Sequence, residues 1–122
     1  MKAVDTSILL TAHRAESGEH VQSARTLASL CEGREPWGLP LEVINEFLQL
    51  VTHERLFNPA SSSVIALEFV HALVSSPACM LLLPGERSME STQHLDEYAA
   101  IEARIAACCL RHEVSVLLTA GA

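Results

Sequence analysis

The stretch Met1-Lys2-Ala3-Val4-Asp5-Thr6-Ser7-Ile8-Leu9-Leu10 decides the fold. It opens with a short apolar run that can form a strand, and Asp5 ends this run. Thr6 and Ser7 can cap a following helix through their side-chain oxygens, and the exposed N–H groups of a helix start favour anions. Ligands of open α/β sheets bind beyond the carboxyl ends of the strands. Asp5 is therefore placed for chemistry; the alternative is that it only caps the helix.

The length and composition predict one domain over residues 1–122. Apolar residues make up 49% of the chain and aromatic residues only 4%. The core must therefore come mainly from Leu, Val, Ile and Ala, as in sheets covered by helices. No apolar run approaches the roughly 18 residues of a membrane span, and the N-terminus lacks the pattern of a signal peptide. We expect a cytoplasmic protein that does not engage a membrane.

The cysteines, the histidines and the net charge limit the classes of function that the chain can have. The four cysteines and six histidines show no zinc-site spacing, so free thiols are expected. A net charge of −7 disfavours broad nucleic-acid binding through a basic face. It does not exclude a nuclease whose acids surround a divalent metal ion, because the metal changes the local field.

Hydrophobic periodicity predicts alternating strands and helices. Helices are predicted over residues 8–13, 21–31, 41–51, 64–74 and 99–111, strands over 1–4, 35–40, 79–83 and 114–119, and a weak helix or a loop over 86–98. The uninterrupted apolar run at 79–83 suits a buried parallel strand. This order predicts an α/β, three-layer sandwich with a mostly parallel central sheet and helices on both faces.

Three carboxylates lie where a predicted element begins or ends, or beside its apolar side. Asp5 follows the first strand, Glu46 lies on the helix 41–51, and Glu102 starts the last helix among Ala and Ile residues. A carboxylate in apolar surroundings is costly unless it meets a cation or a donor. Two carboxylates about 4 Å apart repel by about 4 kcal/mol at an effective dielectric near 20. A divalent cation removes that cost, and oxygen ligands select Mg²⁺ or Mn²⁺, whose usual work is on phosphate esters.

The polar strip of the helix 41–51 has a second interpretation. Glu42 and Gln49 fit a solvated face, which is the ordinary role of such a strip. Glu46 is the better functional candidate only if this helix packs beside the end of the first strand.

Four short motifs occur in order along nearly the whole chain. They are Val4-Asp5-Thr6-Ser7-Ile8-Leu9-Leu10, then Pro36-Trp37-Gly38-Leu39-Pro40 with Asn45-Glu46-Phe47-Leu48, then Glu102-Ala103-Arg104-Ile105-Ala106-Ala107, and Leu117-Leu118-Thr119-Ala120. Each motif alone is weakly specific. Together they resemble PIN-domain ribonucleases, specifically the VapC toxins of bacterial toxin–antitoxin pairs.

This resemblance implies a PIN-like fold, a Mg²⁺- or Mn²⁺-dependent endoribonuclease acting on RNA, homodimerisation, and inhibition by a VapB-like antitoxin. It assigns catalytic and metal-binding roles to Asp5, Glu46 and Glu102. At the position of Glu102 the family usually has Asp. Ser7, Thr6 and Thr119 are expected to position substrate at the rim. The family's fourth acid falls on Gly121, and its last strand is expected to be absent.

These departures leave a second function open, that of a catalytically weak or inactive PIN-like module that keeps antitoxin binding or self-association. If the site works, we expect slow cleavage favoured by Mn²⁺, because Mg²⁺ demands near-ideal geometry. The regions of Trp37 and Phe57 are the expected exposed patches of a homodimer. A haloacid-dehalogenase-like phosphatase is disfavoured, since it needs a second Asp where Ser7 stands.

Overall fold

The computed structural model describes residues 1–85 and 95–121. Its strands are β1 (Lys2–Val4), β2 (Trp37–Pro40), β3 (Cys79–Leu82) and β4 (Val116–Leu118). Its helices are α1 (Thr6–His13), α2 (His20–Glu32), α3 (Leu41–Val51), α4 (Ser63–Val74) and α5 (Glu97–Arg111). The predicted order of elements is confirmed in this part of the chain. The weak helix or loop predicted over 86–98 lies mostly outside the described residues. Its last two residues, 97 and 98, belong to α5.

The four described strands form one parallel sheet in the order β3-β2-β1-β4. Lys2 pairs with Val116 and Val4 pairs with Leu118, so β1 and β4 end side by side. The connections from β1 to β2 and from β2 to β3 step across the sheet in one direction, and the connection from β3 to β4 returns in the other. Right-handed crossovers therefore place helices on both faces, which confirms the predicted fold class. The crevice beyond the carboxyl ends of β1 and β4, where the strand order reverses, is the usual ligand site of such sheets.

Short polar side chains fix where three of the helices begin. Asp5 accepts a hydrogen bond from the N–H of Ile8 at 3.3 Å. Ser62 and Asp96 likewise accept from the N–H groups three residues further on, at 3.2 and 2.8 Å. Each satisfies an N–H group that a helix start leaves without an intrahelical partner. Because α1 begins directly after β1, its cap Asp5 also stands at the sheet edge.

The core is mainly aliphatic, and its largest fully buried side chains are Trp37 and Phe47. The prediction that Trp37 forms an exposed patch is wrong, since this side chain is 0% exposed on the central strand β2. Phe57 is half-buried, and the guanidinium of Arg14 lies over its ring at 4.9 Å. A tryptophan beside prolines in the sequence does not reveal that both faces of its strand are covered.

The apolar run at 79–83 is less buried than predicted. β3 lies at an edge of the sheet, where Met80 is 49% and Leu81 48% exposed while Leu82 is buried. The opposite edge strand, β4, exposes Val116 and Leu117 to a similar degree. An uninterrupted apolar run does not distinguish a central strand from an edge strand, because that difference depends on which elements cover it.

All four cysteines lie within the described residues and are free thiols, as predicted. Burial, reinforced by nearby Cys31, raises the pKa of Cys79 to about 11, so this thiol stays protonated at neutral pH. As for membranes, the described helices include none with the length and apolarity needed to span one.

Candidate active site

A chain of hydroxyl groups fixes Asp5 across the ends of β1 and β4. The Ser7 hydroxyl donates to Asp5 Oδ1 at 2.6 Å and accepts from the N–H of Ala120 at 2.9 Å. Its oxygen also lies 3.1 Å from the Thr119 hydroxyl. Because the single Ser7 proton is donated to Asp5, the Thr119 hydroxyl is the donor in that contact. Asp5 is therefore both the helix cap and a carboxylate held at the expected sheet edge.

A second hydroxyl brings Glu46 to the same edge. Thr6 is buried, with 7% of its surface exposed, and its hydroxyl donates to Glu46 Oε1. Glu46 lies on α3, 40 residues along the chain from Thr6. Thr6 bonds Glu46, and Ser7 bonds Asp5. Because Asp5, Thr6 and Ser7 are consecutive, these two hydrogen bonds place the carboxylates of Asp5 and Glu46 around the start of α1.

Glu102 is placed near these two acids but in different surroundings from those predicted. It is exposed on α5 rather than enclosed by apolar residues. Its pKa is nevertheless raised, first by partial burial of the carboxyl group and then by the charges of Glu46 and Asp5. The three acids therefore share one electrostatic field, and ionisation of Glu102 is opposed by the other two.

The donor set fits a hard divalent cation in type. The described hydrogen bonds of Asp5 fall on Oδ1 and that of Glu46 on Oε1, so in the described part of the chain Asp5 Oδ2 and Glu46 Oε2 have no protein donor. Open carboxylate oxygens are the ligands that Mg²⁺ and Mn²⁺ prefer. As the side chains stand, the described residues contain no group of three or more His, Cys, Asp or Glu that could hold a metal ion. Two carboxylates are thus oriented, and Glu102 lies within electrostatic range of them.

One polar pair beside the site was not predicted. Arg104 Nε donates to Glu42 Oε1 at 3.0 Å, with only 14% and 18% of the two side chains exposed. Both residues line a cavity of about 360 Å³ between α3 and α5 that Glu46 also lines. Glu42 is therefore ion-paired rather than part of a solvated face. The sequence contains one indication of this pair, which is its spacing from the candidate acids. Glu42 precedes Glu46 by one helical turn, and Arg104 follows Glu102 by two residues.

Position 121 carries no carboxylate. Gly121 has φ of +73°, in the left-handed region, and a Cβ built on it would lie 3.5 Å from Glu19 Oε1. Glu19, the residue before α2, is therefore an acid that lies beside position 121, a placement that no motif indicated.

A parallel four-stranded sheet with two oriented carboxylates at its switch point is the arrangement expected of a PIN-like α/β protein. The structure superposes on the crystal structure of Mycobacterium tuberculosis VapC20, described as a sarcin–ricin loop cleaving toxin, with a TM-score of 0.71. That match covers 98% of this chain and 88% of the other at 17% identity, and it shows the fold.

Sequence relatives give the closer relationship. The chain is 41% identical over 87 residues to a VapC ribonuclease of Mycobacterium bovis, which covers 71% of this chain and 59% of that protein. It is 29% identical over 123 residues to ribonuclease VapC31 of Mycobacterium tuberculosis, covering 96% of this chain and 87% of the relative. No family model matches the sequence. The chain is a VapC-type PIN-domain relative, which confirms the resemblance predicted from its motifs; it spans about three-fifths of the length of the first of these relatives.

Proposed function

We propose that the chain is a Mg²⁺- or Mn²⁺-dependent endoribonuclease toxin that hydrolyses phosphodiester bonds in RNA. The observation that carries the proposal is the pair of oriented carboxylates at the β1–β4 switch point. Thr6 holds Glu46 and Ser7 holds Asp5. Within the described residues, no protein donor reaches the second oxygen of either acid. The similarity to proteins named VapC ribonucleases supports the choice of RNA as substrate.

In this proposal Asp5, Glu46 and Glu102 would hold the metal ion. A bound divalent cation supplies activation of water and neutralisation of charge on the leaving oxygen. The chain's own part is orientation. The Thr6 and Ser7 hydroxyls orient the two carboxylates, and the Thr119 hydroxyl donates to Ser7 at the rim. The positive end of the α1 helix dipole favours an approaching phosphate.

The proposed activity is slow and favoured by Mn²⁺. Glu102 carries its carboxyl one methylene further from the backbone than the aspartate of the family, and position 121 offers no ligand. Mg²⁺ requires near-ideal octahedral geometry, so displaced ligands disadvantage it more than Mn²⁺.

Cleavage of a structured RNA by the purified chain, with Mg²⁺ or Mn²⁺ supplied separately, tests the proposal. Asp5→Asn should abolish cleavage and also the rise in melting temperature that Mn²⁺ causes. Glu68→Gln, which removes an exposed carboxylate on α4, is the matched control and should change neither. If wild type and Asp5→Asn cleave equally, the activity does not come from this site. If the wild-type chain neither cleaves nor responds to Mn²⁺, the inactive binding module is the correct function.

We also propose that the protein acts in the cytoplasm as a homodimer neutralised by a VapB-like antitoxin. Helix α4 supports self-association, because Val64, Ile65 and Leu67 are between 53% and 65% exposed, and contiguous apolar surface marks interaction sites. Sedimentation at micromolar concentration should give a dimer that Leu67→Lys dissociates; a wild-type monomer would refute this part. Suppression of RNA cleavage by a VapB-type protein added in equal amount would test the antitoxin.

A further inference from the structure

The single tyrosine of the chain lies exposed beside the proposed active site. Tyr98 stands in the first turn of α5, four residues before Glu102, and the two therefore share one face of the helix. Further along α5 this face carries Ile105 and Cys109, which are buried in the core, whereas Tyr98 is 71% exposed. An apolar ring thus stands open to solvent one helical turn from an acid of the proposed active site.

The neighbouring face of α5 lines the cavity of about 360 Å³ between α3 and α5. Glu97, which directly precedes Tyr98, lines this cavity from α5, and the exposed amides of Asn45 and Gln49 line it from α3. Glu46 belongs both to the wall of the cavity and to the proposed active site. A group inside the cavity would therefore be adjacent to an RNA phosphate held at that site.

The lining of the cavity suits a neutral nucleobase better than a phosphate. Three acids line it, and their charges oppose an anion. Glu42 binds Arg104 and Glu46 binds Thr6, whereas no described residue donates to the carboxylate of Glu97. Such a carboxylate can accept two parallel N–H bonds. Guanine presents two adjacent N–H donor groups on its Watson–Crick edge, whereas adenine, cytosine and uracil each present one donor group beside an acceptor.

We propose that Tyr98 and this cavity bind one guanine base of the RNA beside the bond that is cleaved. The Glu97 carboxylate accepts from the N1–H and N2–H groups of the guanine, the amides of Asn45 and Gln49 are available to its O6, and the Tyr98 ring stacks on a base at the mouth of the cavity. Stacking on aromatic rings and hydrogen bonding to the Watson–Crick edge are the usual means of reading single-stranded RNA. The inference rests on the proposed RNA cleavage and adds the base that the site selects.

Binding of fluorescein-labelled RNA pentamers to the full chain, measured by fluorescence anisotropy, tests this inference. Uridines flank a central guanosine, inosine or uridine, and inosine differs from guanosine only in lacking the 2-amino group. Ca²⁺ replaces Mg²⁺ and Mn²⁺, and electrophoresis after each titration checks that the RNA is intact. The guanosine pentamer should bind about tenfold more tightly than the other two.

Variants separate stacking from recognition of the base edge. Tyr98→Ala should weaken the binding of every pentamer by about tenfold, whereas Tyr98→Phe, which keeps the ring, should not. Glu97→Gln should remove the preference for guanosine, because an amide accepts through one oxygen only, and should leave binding of the uridine pentamer unchanged. Glu68→Gln, which removes an exposed carboxylate on α4, is the matched control and should change neither.

The proposal is overturned if no pentamer shows saturable binding up to about millimolar protein, or if the guanosine and inosine pentamers bind equally well. It is also overturned if Tyr98→Ala binds like wild type or if Glu97→Gln keeps the preference for guanosine. A chain that shows these preferences but cleaves no RNA with Mg²⁺ or Mn²⁺ would support this base-binding site and count against the proposed nuclease activity. Thermal unfolding of each variant confirms that it is folded.

Discussion

Replacing Thr6 by valine tests whether one buried hydroxyl holds Glu46 at the proposed active site. Valine has nearly the same shape as threonine, so the change removes the hydroxyl that donates to Glu46 Oε1 and leaves little empty space. Thr6 is 7% exposed, and water cannot easily take the place of the lost donor on its side. The effect should therefore report the hydrogen bond rather than a packing defect.

The expected magnitude follows from the charge and burial of the two groups. A hydrogen bond to a charged group contributes about 1.5–3 kcal/mol. Glu46 is half-buried, so solvent compensates for part of the loss, and we expect the free energy of unfolding to fall by about 1–2 kcal/mol. For a domain of this size, that corresponds to a fall in melting temperature on the order of 5 °C.

Urea unfolding at neutral pH measures the stability change, and the Mn²⁺-induced rise in melting temperature measures the effect on the site. Thr26→Val is the matched control, because the Thr26 hydroxyl donates at 2.9 Å to the Gln22 carbonyl of its own helix. Thr6→Val should lower both quantities, whereas Thr26→Val should change stability by less than half as much and leave the Mn²⁺ effect intact. Equal results for the two variants would refute the role assigned to Thr6.

Four further changes have defined outcomes. Gly38→Ala places a Cβ 2.5 Å from Leu82 Cδ1 and should cost about 1–3 kcal/mol of stability in urea unfolding, a cost that mostly disappears in a Leu82→Ala background. Glu102→Gln should raise stability at neutral pH, because a raised pKa means that ionisation of Glu102 opposes folding; the gain should vanish once the pH lies below the ordinary range of glutamate. Burial, and after it the charge of Arg14, lowers the pKa of His13. The free energy of unfolding should therefore fall as the pH drops from 7 through the ordinary histidine range. His13→Phe should flatten this pH dependence, whereas His71→Asn, at an exposed position, should not. Gly121→Asp should improve Mn²⁺ binding, measured by thermal shift, only when Glu19→Gln accompanies it.

The order of the elements was predictable because each is encoded locally. Asp5, Ser62 and Asp96 each cap the helix that follows them, and helical spacing marks the helical segments. The gathering of Asp5 and Glu46 at one edge was predicted from their positions along the predicted elements together with the family motifs. The caps and periodicities act within a few residues, so a single sequence suffices to see them.

Burial was less predictable, because it depends on elements far apart in the chain. Trp37 lies on the inner strand β2, all four residues of which are buried, whereas Met80 and Leu81 are exposed on the edge strand β3. Glu42 is held by Arg104 from 62 residues away. An apolar or charged residue has the same local pattern in either setting, and only the pairing of elements distinguishes them.

The geometry at Gly121 explains why restoring the family's fourth acid there is not a simple reversal. The backbone has φ of +73°, which aspartate tolerates better than most residues but still less well than glycine. More importantly, the new Cβ would lie 3.5 Å from Glu19 Oε1, so the added carboxylate would meet an existing one. Glu19 is itself held by the Ser17 hydroxyl, which donates to its other oxygen at 3.0 Å, and it cannot turn away without losing that bond. Removing the charge of Glu19 therefore has to come first, and a Gly121→Asp variant that binds Mn²⁺ better without it would mean that Glu19 does not occupy this space in solution.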